Sequence, residues 1–177
     1  NLVIMIKNRN IIFLLVNIIL GLSVILSYFW GIIYNDDPSL LWGRVNVNHI
    51  PYIVLSMFLG AIGYLIFSFF FLCVKKLNSL TSSQFKYLIT LYICILFSSS
   101  LWMPLSVFYL NTTNKLILVI DLLCLYIVGL SSLLLTKFII DNKIENSLIW
   151  KFSVIGGLQF VFHTLIIDAI YWGVNFV

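Results

Sequence analysis

The residues of this sequence that could do chemistry are three ionisable side chains inside otherwise apolar stretches: Asp121, His163 and Asp168. An ionisable group at the centre of a membrane helix costs about 2.5 to 3.5 kcal/mol, so such groups usually face other helices and mark ion, proton or ligand sites. A histidine in this setting either relays protons near neutral pH or holds two helices together by a hydrogen bond. The sequence therefore predicts a functional site around these three side chains.

Helical periodicity predicts how these groups are arranged. At about 100° per residue, four polar residues of the last apolar stretch lie on one face and form a polar stripe: Thr164, Asp168, Tyr171 and Asn175. Asp121 has only apolar neighbours on its own helix, so its partner is expected on another helix. His163 lies about 140° around the helix from Asp168, which argues against direct pairing of the two side chains.

Further polar and aromatic residues are expected at the same end of the helices as the two acids: Arg44, His49, Trp102, Tyr126 and Trp172. Aromatic walls with a few convergent polar groups are typical of small-molecule sites. The interpretation is a cavity that these residues surround together with Asp121, His163 and the polar stripe. Tryptophan and tyrosine also anchor helices at membrane surfaces, and buried acids also hold helices together, so packing and topology stay open as the alternative.

The elements that position these residues follow from the composition. Of 177 residues, 62% are apolar and 9% are charged, whereas a soluble domain has about 25% charged residues. A hydrocarbon core needs roughly 20 mostly apolar residues in a helix, and five stretches reach that length: 11–34, 50–74, 87–110, 116–140 and 149–176. The sequence predicts an all-α membrane protein in which residues 1–177 form one bundle of five transmembrane helices.

Lysine and arginine are unequally distributed between the two ends of the predicted bundle. Only Arg44 and Lys115 lie at the end opposite the N-terminus, while eight basic residues lie at the N-terminal end: Lys7, Arg9, Lys75, Lys76, Lys86, Lys137, Lys143 and Lys151. The positive-inside rule then places the N-terminus in the cytoplasm, or in the matrix or stroma of an organelle, and the C-terminus on the other side. Asp121 and Asp168 would lie in the outer half of the bilayer. The basic charge is interpreted as a topology signal, and no nucleic-acid partner is expected.

Sequence signatures of enzymes are almost absent. There is no phosphate-binding glycine loop, no His-Glu-x-x-His and no Cys-x-x-Cys, and three scattered cysteines with two histidines make no metal set. The segment Gly129-Leu130-Ser131-Ser132 resembles the Gly-x-Ser element of rhomboid intramembrane proteases, in which a histidine on another helix activates the serine. The resemblance implies a catalytic pair of Ser131 with His163, although five helices are predicted here and the family core has six.

These observations leave three classes of function for a multi-pass integral membrane protein. The leading one is binding or transport of a small amphipathic molecule through a cavity in the outer half of the bilayer. The alternatives are a non-catalytic subunit of a larger membrane complex, and an oligomeric channel or proton pathway. The expected partners are the lipid bilayer, a lipid-like small molecule, and other membrane subunits or further copies of the chain. The sequence assigns no catalytic residue and identifies neither a cofactor nor the membrane.

Overall fold

The computed structural model describes residues 2–35, 37–75, 77–144 and 147–176, with side chains from residue 9 onward. The main elements are five helices: α1 (Leu2–Tyr34), α2 (Ile50–Phe69), α3 (Ser82–Thr112), α4 (Lys115–Asp141) and α5 (Leu148–Val161). A π-helix continues α2 over Phe70–Val74, and another continues α5 over Phe162–Trp172 before a last α-helical turn, Gly173–Asn175. Short 3-10 turns occupy Pro38–Trp42, Val47–His49 and Leu77–Ser79. The described residues include no strand.

Five helical stretches of the structure are long and apolar enough to cross a membrane: Arg9–Tyr34, Val47–Val74, Ser82–Thr112, Lys115–Asp141 and Leu148–Asn175. The predicted all-α class with five long apolar helices is thereby confirmed. Insertion into a bilayer and the direction of the two termini stay predictions. Among these five stretches, the largest difference from the predicted bounds is at Ser82–Thr112, which begins five residues before the predicted 87 because Thr81 and Gln84 cap each other there.

The α3–α4 connection consists of two residues, Thr113 and Asn114. Thr113 takes a left-handed conformation, with φ 52°, and its backbone N–H donates to the Tyr109 carbonyl at 2.7 Å. The Asn114 side chain then accepts the Leu116 backbone N–H at 2.9 Å and caps α4. The short turn makes α3 and α4 an antiparallel pair.

The five helices pack in the order α1, α3, α4, α5 and α2, with the π-helix Phe162–Trp172 also against α4. We call the end of the bundle that carries residues 37–49, 113–114 and 175–176 the distal end. The proximal end carries Arg9 and residues 77–81 and 141–144. Arg9 joins α1 to the turn before α3 by donating to the Leu80 carbonyl at 2.6 Å and to Ser82 Oγ at 3.2 Å.

α2 and α5 cross closely, and the crossing lies just before the π-helix Phe162–Trp172. A Cβ atom built on Gly156 would lie 2.7 Å from the Cα atom of Gly63, so the two backbones are in contact. Nearby, Gln159 donates to Ser56 Oγ at 3.1 Å. This crossing places the first turn of the π-helix beside Gly60 of α2.

Candidate functional site

The π-helix brings His163 and Asp168 together, with His163 Nε2 3.4 Å from Asp168 Oδ2. The prediction that the two side chains point in different directions is wrong, because it assumed the α-helical rotation of about 100° per residue. In a π-helix each N–H bonds to the carbonyl five residues earlier, as the Gly173 N–H does to the Asp168 carbonyl, so residues five apart lie one turn apart. The backbone geometry therefore creates the pair.

The two members of the pair differ in their access to the surroundings. The side chain of Asp168 is 28% exposed, while that of His163 is 9% exposed. His163 packs against α2 at Gly60, where an added Cβ atom would lie 3.5 Å from His163 Cβ. Asp168 is thus the more accessible member of the pair, and His163 is the member that packs against α2.

Asp121 is fully buried between α3 and α4. Its Oδ2 atom accepts a hydrogen bond from Ser106 Oγ at 2.8 Å, whereas its Oδ1 atom has no hydrogen-bond partner. The prediction that Asp121 finds its partner on another helix is confirmed. One carboxylate oxygen nevertheless stays unpaired, and a buried polar atom without a partner costs about 1 to 3 kcal/mol.

Aromatic rings from three helices and the C-terminal turn form a cluster next to both acids. This aromatic cluster consists of Tyr28, Trp102, Tyr109, Trp172 and Phe176. The Trp102 ring lies 5.3 Å from Trp172 and 5.2 Å from Tyr28, measured between centroids. Trp172 Nε1 donates to the Leu41 carbonyl at 2.9 Å, but the buried Nε1 atom of Trp102 has no partner.

Trp102 connects the elements that carry the two acids. Its ring contacts Tyr28, and one turn later on α3 Ser106 donates to Asp121. Trp172, which contacts Trp102, is in turn four residues after Asp168. The acids therefore flank the same aromatic cluster, although no hydrogen bond or ion pair joins them within the part of the chain that is described. A cavity shared by both acids stays a prediction.

Four of the predicted site residues meet at the distal end, beyond the aromatic cluster. His49 Nδ1 and the Tyr171 hydroxyl are 2.7 Å apart, and Asn175 Nδ2 donates to the Tyr171 carbonyl at 2.7 Å. The Arg44 side chain is exposed, and its backbone N–H donates to the Asn175 carbonyl at 2.6 Å. These contacts close the distal end with hydrogen bonds between the loop and the end of the last helix.

Two other predicted site residues lie away from the acids. Thr164 faces α4, where its Oγ1 atom is 2.9 Å from Ser132 Oγ, so the expected single polar stripe is divided among different neighbours. The physical reason is again the π-helical rotation, which differs from the α-helical value used for the prediction. Tyr126 is 42% exposed on the outside of the bundle and does not join the aromatic cluster.

Tyr28 and Ser106 belong to the site but are missed by reasoning from the sequence. An aromatic residue near the end of an apolar helix is also what an interfacial anchor looks like, so Tyr28 gives no distinct signal. Ser106 lies within an apolar helix, two residues after Pro104. A search for hydroxyl residues at the depth of Asp121 on the neighbouring helix could have found Ser106, given the short α3–α4 turn.

The pair implied by the resemblance to rhomboid proteases does not form. His163 Nε2 faces Asp168, and its Nδ1 atom has no hydrogen-bond partner, so it accepts no proton from Ser131. The neighbouring Ser132 hydroxyl donates to the Gly129 carbonyl at 2.7 Å within its own helix. The arrangement therefore lacks the serine-to-histidine hydrogen bond that nucleophilic catalysis requires.

An apolar groove lies on the surface between α2 and α5, away from the acids. It has a volume of ≈ 470 Å³ and is lined by Leu65, Ile66, Phe69, Ile149 and Phe152. No polar side chain lines it. In its composition it resembles a lipid-facing surface rather than a site with chemistry.

Comparison of the chain with protein-family models, with curated proteins and with solved structures gives no match. Among the residues described, no group of three or more histidine, cysteine, aspartate or glutamate side chains could hold a metal ion. The geometry around Asp168 and Asp121 is thus the basis for assigning a function.

Proposed function

We propose that the protein is a multi-pass membrane protein that binds or transports a small amphipathic molecule, with the site at Asp168 and the aromatic cluster. The observation that carries the proposal is that Asp168 stays 28% exposed within a long apolar helical segment, beside His163 and aromatic rings. An acid that only joined helices would be expected to have its oxygens hydrogen-bonded to neighbouring helices and little exposed surface. An accessible acid next to aromatic surface instead provides a polar group for one end of a ligand and apolar contacts for the other.

Unpaired polar atoms around the cluster support a binding role over a packing role. Trp102 Nε1, Asp121 Oδ1 and His163 Nδ1 are all buried without a hydrogen-bond partner. Each such atom loses its hydration without compensation, at about 1 to 3 kcal/mol. A ligand that supplied complementary groups would recover part of this free energy, which packing alone leaves unrecovered.

The excess of basic residues at the proximal end supports a cytoplasmic, matrix or stromal location for that end. The distal end would then face the opposite side, and the acids would lie in the outer half of the bilayer. A ligand would reach Asp168 from the outer leaflet or the outer aqueous phase. The distal hydrogen bonds between His49 and Tyr171 would lie on the aqueous route.

Native mass spectrometry of the detergent-extracted protein tests the proposal, because it reports retained ligand, partners and copy number together. We expect a retained small molecule that is lost in Asp168→Asn and retained in Asp141→Asn, which makes the same chemical change at an exposed acid of α4. Equal ligand retention by both variants, with both stably folded, would remove the assignment of the site.

A non-catalytic subunit of a larger membrane complex is the second candidate. It is favoured by α1, which packs mainly on α3 and exposes large apolar side chains over much of its surface, including Ile25, Leu26 and Ile33. Lipid would cover this surface in a monomer, and a partner helix would cover it in a complex. A defined heteromeric mass without bound ligand would support the subunit, and a homo-oligomer would support the channel or proton pathway.

A further inference from the structure

We propose that the ligand of this site is a protonated primary or secondary amine carried on an apolar body. This inference rests on the proposed function and names the chemical class of the molecule. It is carried by the unpaired acceptors at His163 and Asp121, the accessible carboxylate of Asp168 and the aromatic cluster on the helices that carry them or pack against them.

The charge around the site favours a cation. Among the described side chains, the lysine and arginine of the distal half are Lys115 and Arg44, and both are exposed, as is His49 beside Tyr171. His163 is the basic group that contacts Asp168, and a nine-tenths buried imidazole is most easily kept neutral. With neutral His163, the ionised form of Asp168 has no positive partner, so burial disfavours that form until a cation is bound. A cationic ligand would neutralise this charge in an environment where screening is weak.

The hydrogen-bonding groups specify that the cation should carry N–H donors. The imidazole nitrogen that faces a carboxylate is the one expected to carry the hydrogen, so His163 Nε2 is assigned as N–H and Nδ1 as the free acceptor. Asp121 Oδ1 is a second acceptor without a donor, in a residue that is fully buried. An ammonium group supplies donors and no acceptor, and so complements these two acceptors, while the Trp102 N–H would need an acceptor elsewhere on the ligand.

The aromatic cluster complements both parts of such a molecule. A cation is attracted to the face of a tryptophan or tyrosine ring. Trp102 contacts Trp172, which is four residues after Asp168, and lies one turn before Ser106, the partner of Asp121. The rings also provide apolar area for the body of the ligand. A carboxylate or phosphate ligand would meet the same acids with repulsion, and a neutral alcohol would leave the charge of Asp168 unpaired.

The test uses the full chain in lipid nanodiscs and four amphipaths that share one alkyl chain: octylamine, octyltrimethylammonium, octan-1-ol and octanoate. Binding is measured by titration calorimetry near neutral pH, with empty nanodiscs as the reference for partition into lipid. We expect octylamine to bind about tenfold more tightly than octan-1-ol, with octanoate weakest. Octyltrimethylammonium, which has the charge but no N–H donor, should bind more weakly than octylamine and more tightly than octan-1-ol.

Matched variants connect this preference to the named residues. Asp168→Asn should abolish the preference for octylamine over octan-1-ol, and Asp141→Asn should keep it. His163→Leu should reduce the preference for octylamine over octyltrimethylammonium while the preference for cations remains. Thermal unfolding identifies any variant that fails to fold. In that case the comparison of the four amphipaths on the unmodified protein decides whether the site prefers an amine.

The outcomes distinguish a failure of the amine class from a failure of the amphipath-binding function. If octan-1-ol or octanoate binds as tightly as octylamine, the amine class is wrong while amphipath binding stands. If the two cations bind equally, the role of His163 Nδ1 as acceptor is wrong. If the protein takes up none of the four beyond the empty nanodiscs, both the amine and the amphipath-binding function are wrong.

Discussion

His163 Nε2 lies 3.4 Å from Asp168 Oδ2, although five residues separate them along one helix. The contact exists because Phe162–Trp172 is π-helical, which aligns side chains five apart. Such π-helical segments within α-helices are frequent at functional sites. The pair is therefore a property of the backbone as well as of the two side chains.

Coupling between His163 and Asp168 should be measurable in the free energy of unfolding. In a double-mutant cycle with His163→Leu and Asp168→Asn, we expect an interaction energy of about 0.5 to 3 kcal/mol, because contacting residues are not additive. A cycle that combines His163→Leu with Asp141→Asn serves as control and should be additive to within about 0.5 kcal/mol. Additivity of the first cycle would contradict the contact between the two side chains. The unfolding would be followed by circular dichroism in mixed micelles.

The crossing of α2 and α5 should not tolerate a methyl group. Gly156→Ala places a Cβ atom 2.7 Å from Gly63 Cα and should destabilise the protein by about 1 to 3 kcal/mol, as overpacking does. Gly21→Ala is the matched control, because no atom lies within 4 Å of its added Cβ and alanine favours the helix. Thermal unfolding of both variants checks this, and equal midpoints would contradict the close crossing.

The two tryptophans of the aromatic cluster should respond differently to the same substitution. Trp172→Phe removes the hydrogen bond to the Leu41 carbonyl, while Trp102→Phe removes an indole N–H that has no partner. The loss of ring volume is alike, so Trp172→Phe should cost about 1 to 3 kcal/mol more than Trp102→Phe. A smaller loss for Trp172→Phe in denaturant unfolding would show that the Leu41 contact does not stabilise the distal loop.

Asp37 should titrate below its ordinary range. It lies in the loop between α1 and α2, where hydrogen bonds from the Ser39 hydroxyl and backbone N–H lower its pKa from 3.8. Because the folded state has the lower pKa, Asp37 stabilises the loop above the ordinary pKa, and this contribution is lost as the pH falls through the folded value. Carboxyl NMR titration should show the low pKa in the unmodified chain and a higher one in Ser39→Ala. An unchanged titration in that variant would contradict the assigned cause.

The positions of the helices could be predicted because lipid imposes a length on every apolar helix. All five predicted stretches are helices in the structure. Asp121 could likewise be expected to find its partner on another helix, since no residue of its own helix could serve. Ser106 supplies that partner. Both features follow from the length and composition of the apolar stretches, which can be read from a single sequence.

The directions of individual side chains could not be predicted in the same way. The predictions for Thr164 and His163 assume ideal α-helical rotation, whereas the prediction for Tyr126 rests only on the end of the helix at which it lies. The π-helix changes the rotation for Thr164 and His163, and the packing of α4 leaves Tyr126 on the outside. No residue type in Phe162–Trp172 marks a π-helix, because its formation depends on contacts made with other helices.

The two-residue turn at Thr113 and Asn114 has a consequence for biogenesis. Contacts between α3 and α4 join neighbouring parts of the chain, so closing this hairpin costs little entropy and should occur early. Asp121 would then meet Ser106 before α5 has left the ribosome. A nascent chain would thus carry its most deeply buried acid into the membrane already hydrogen-bonded, which lowers the cost of inserting α4.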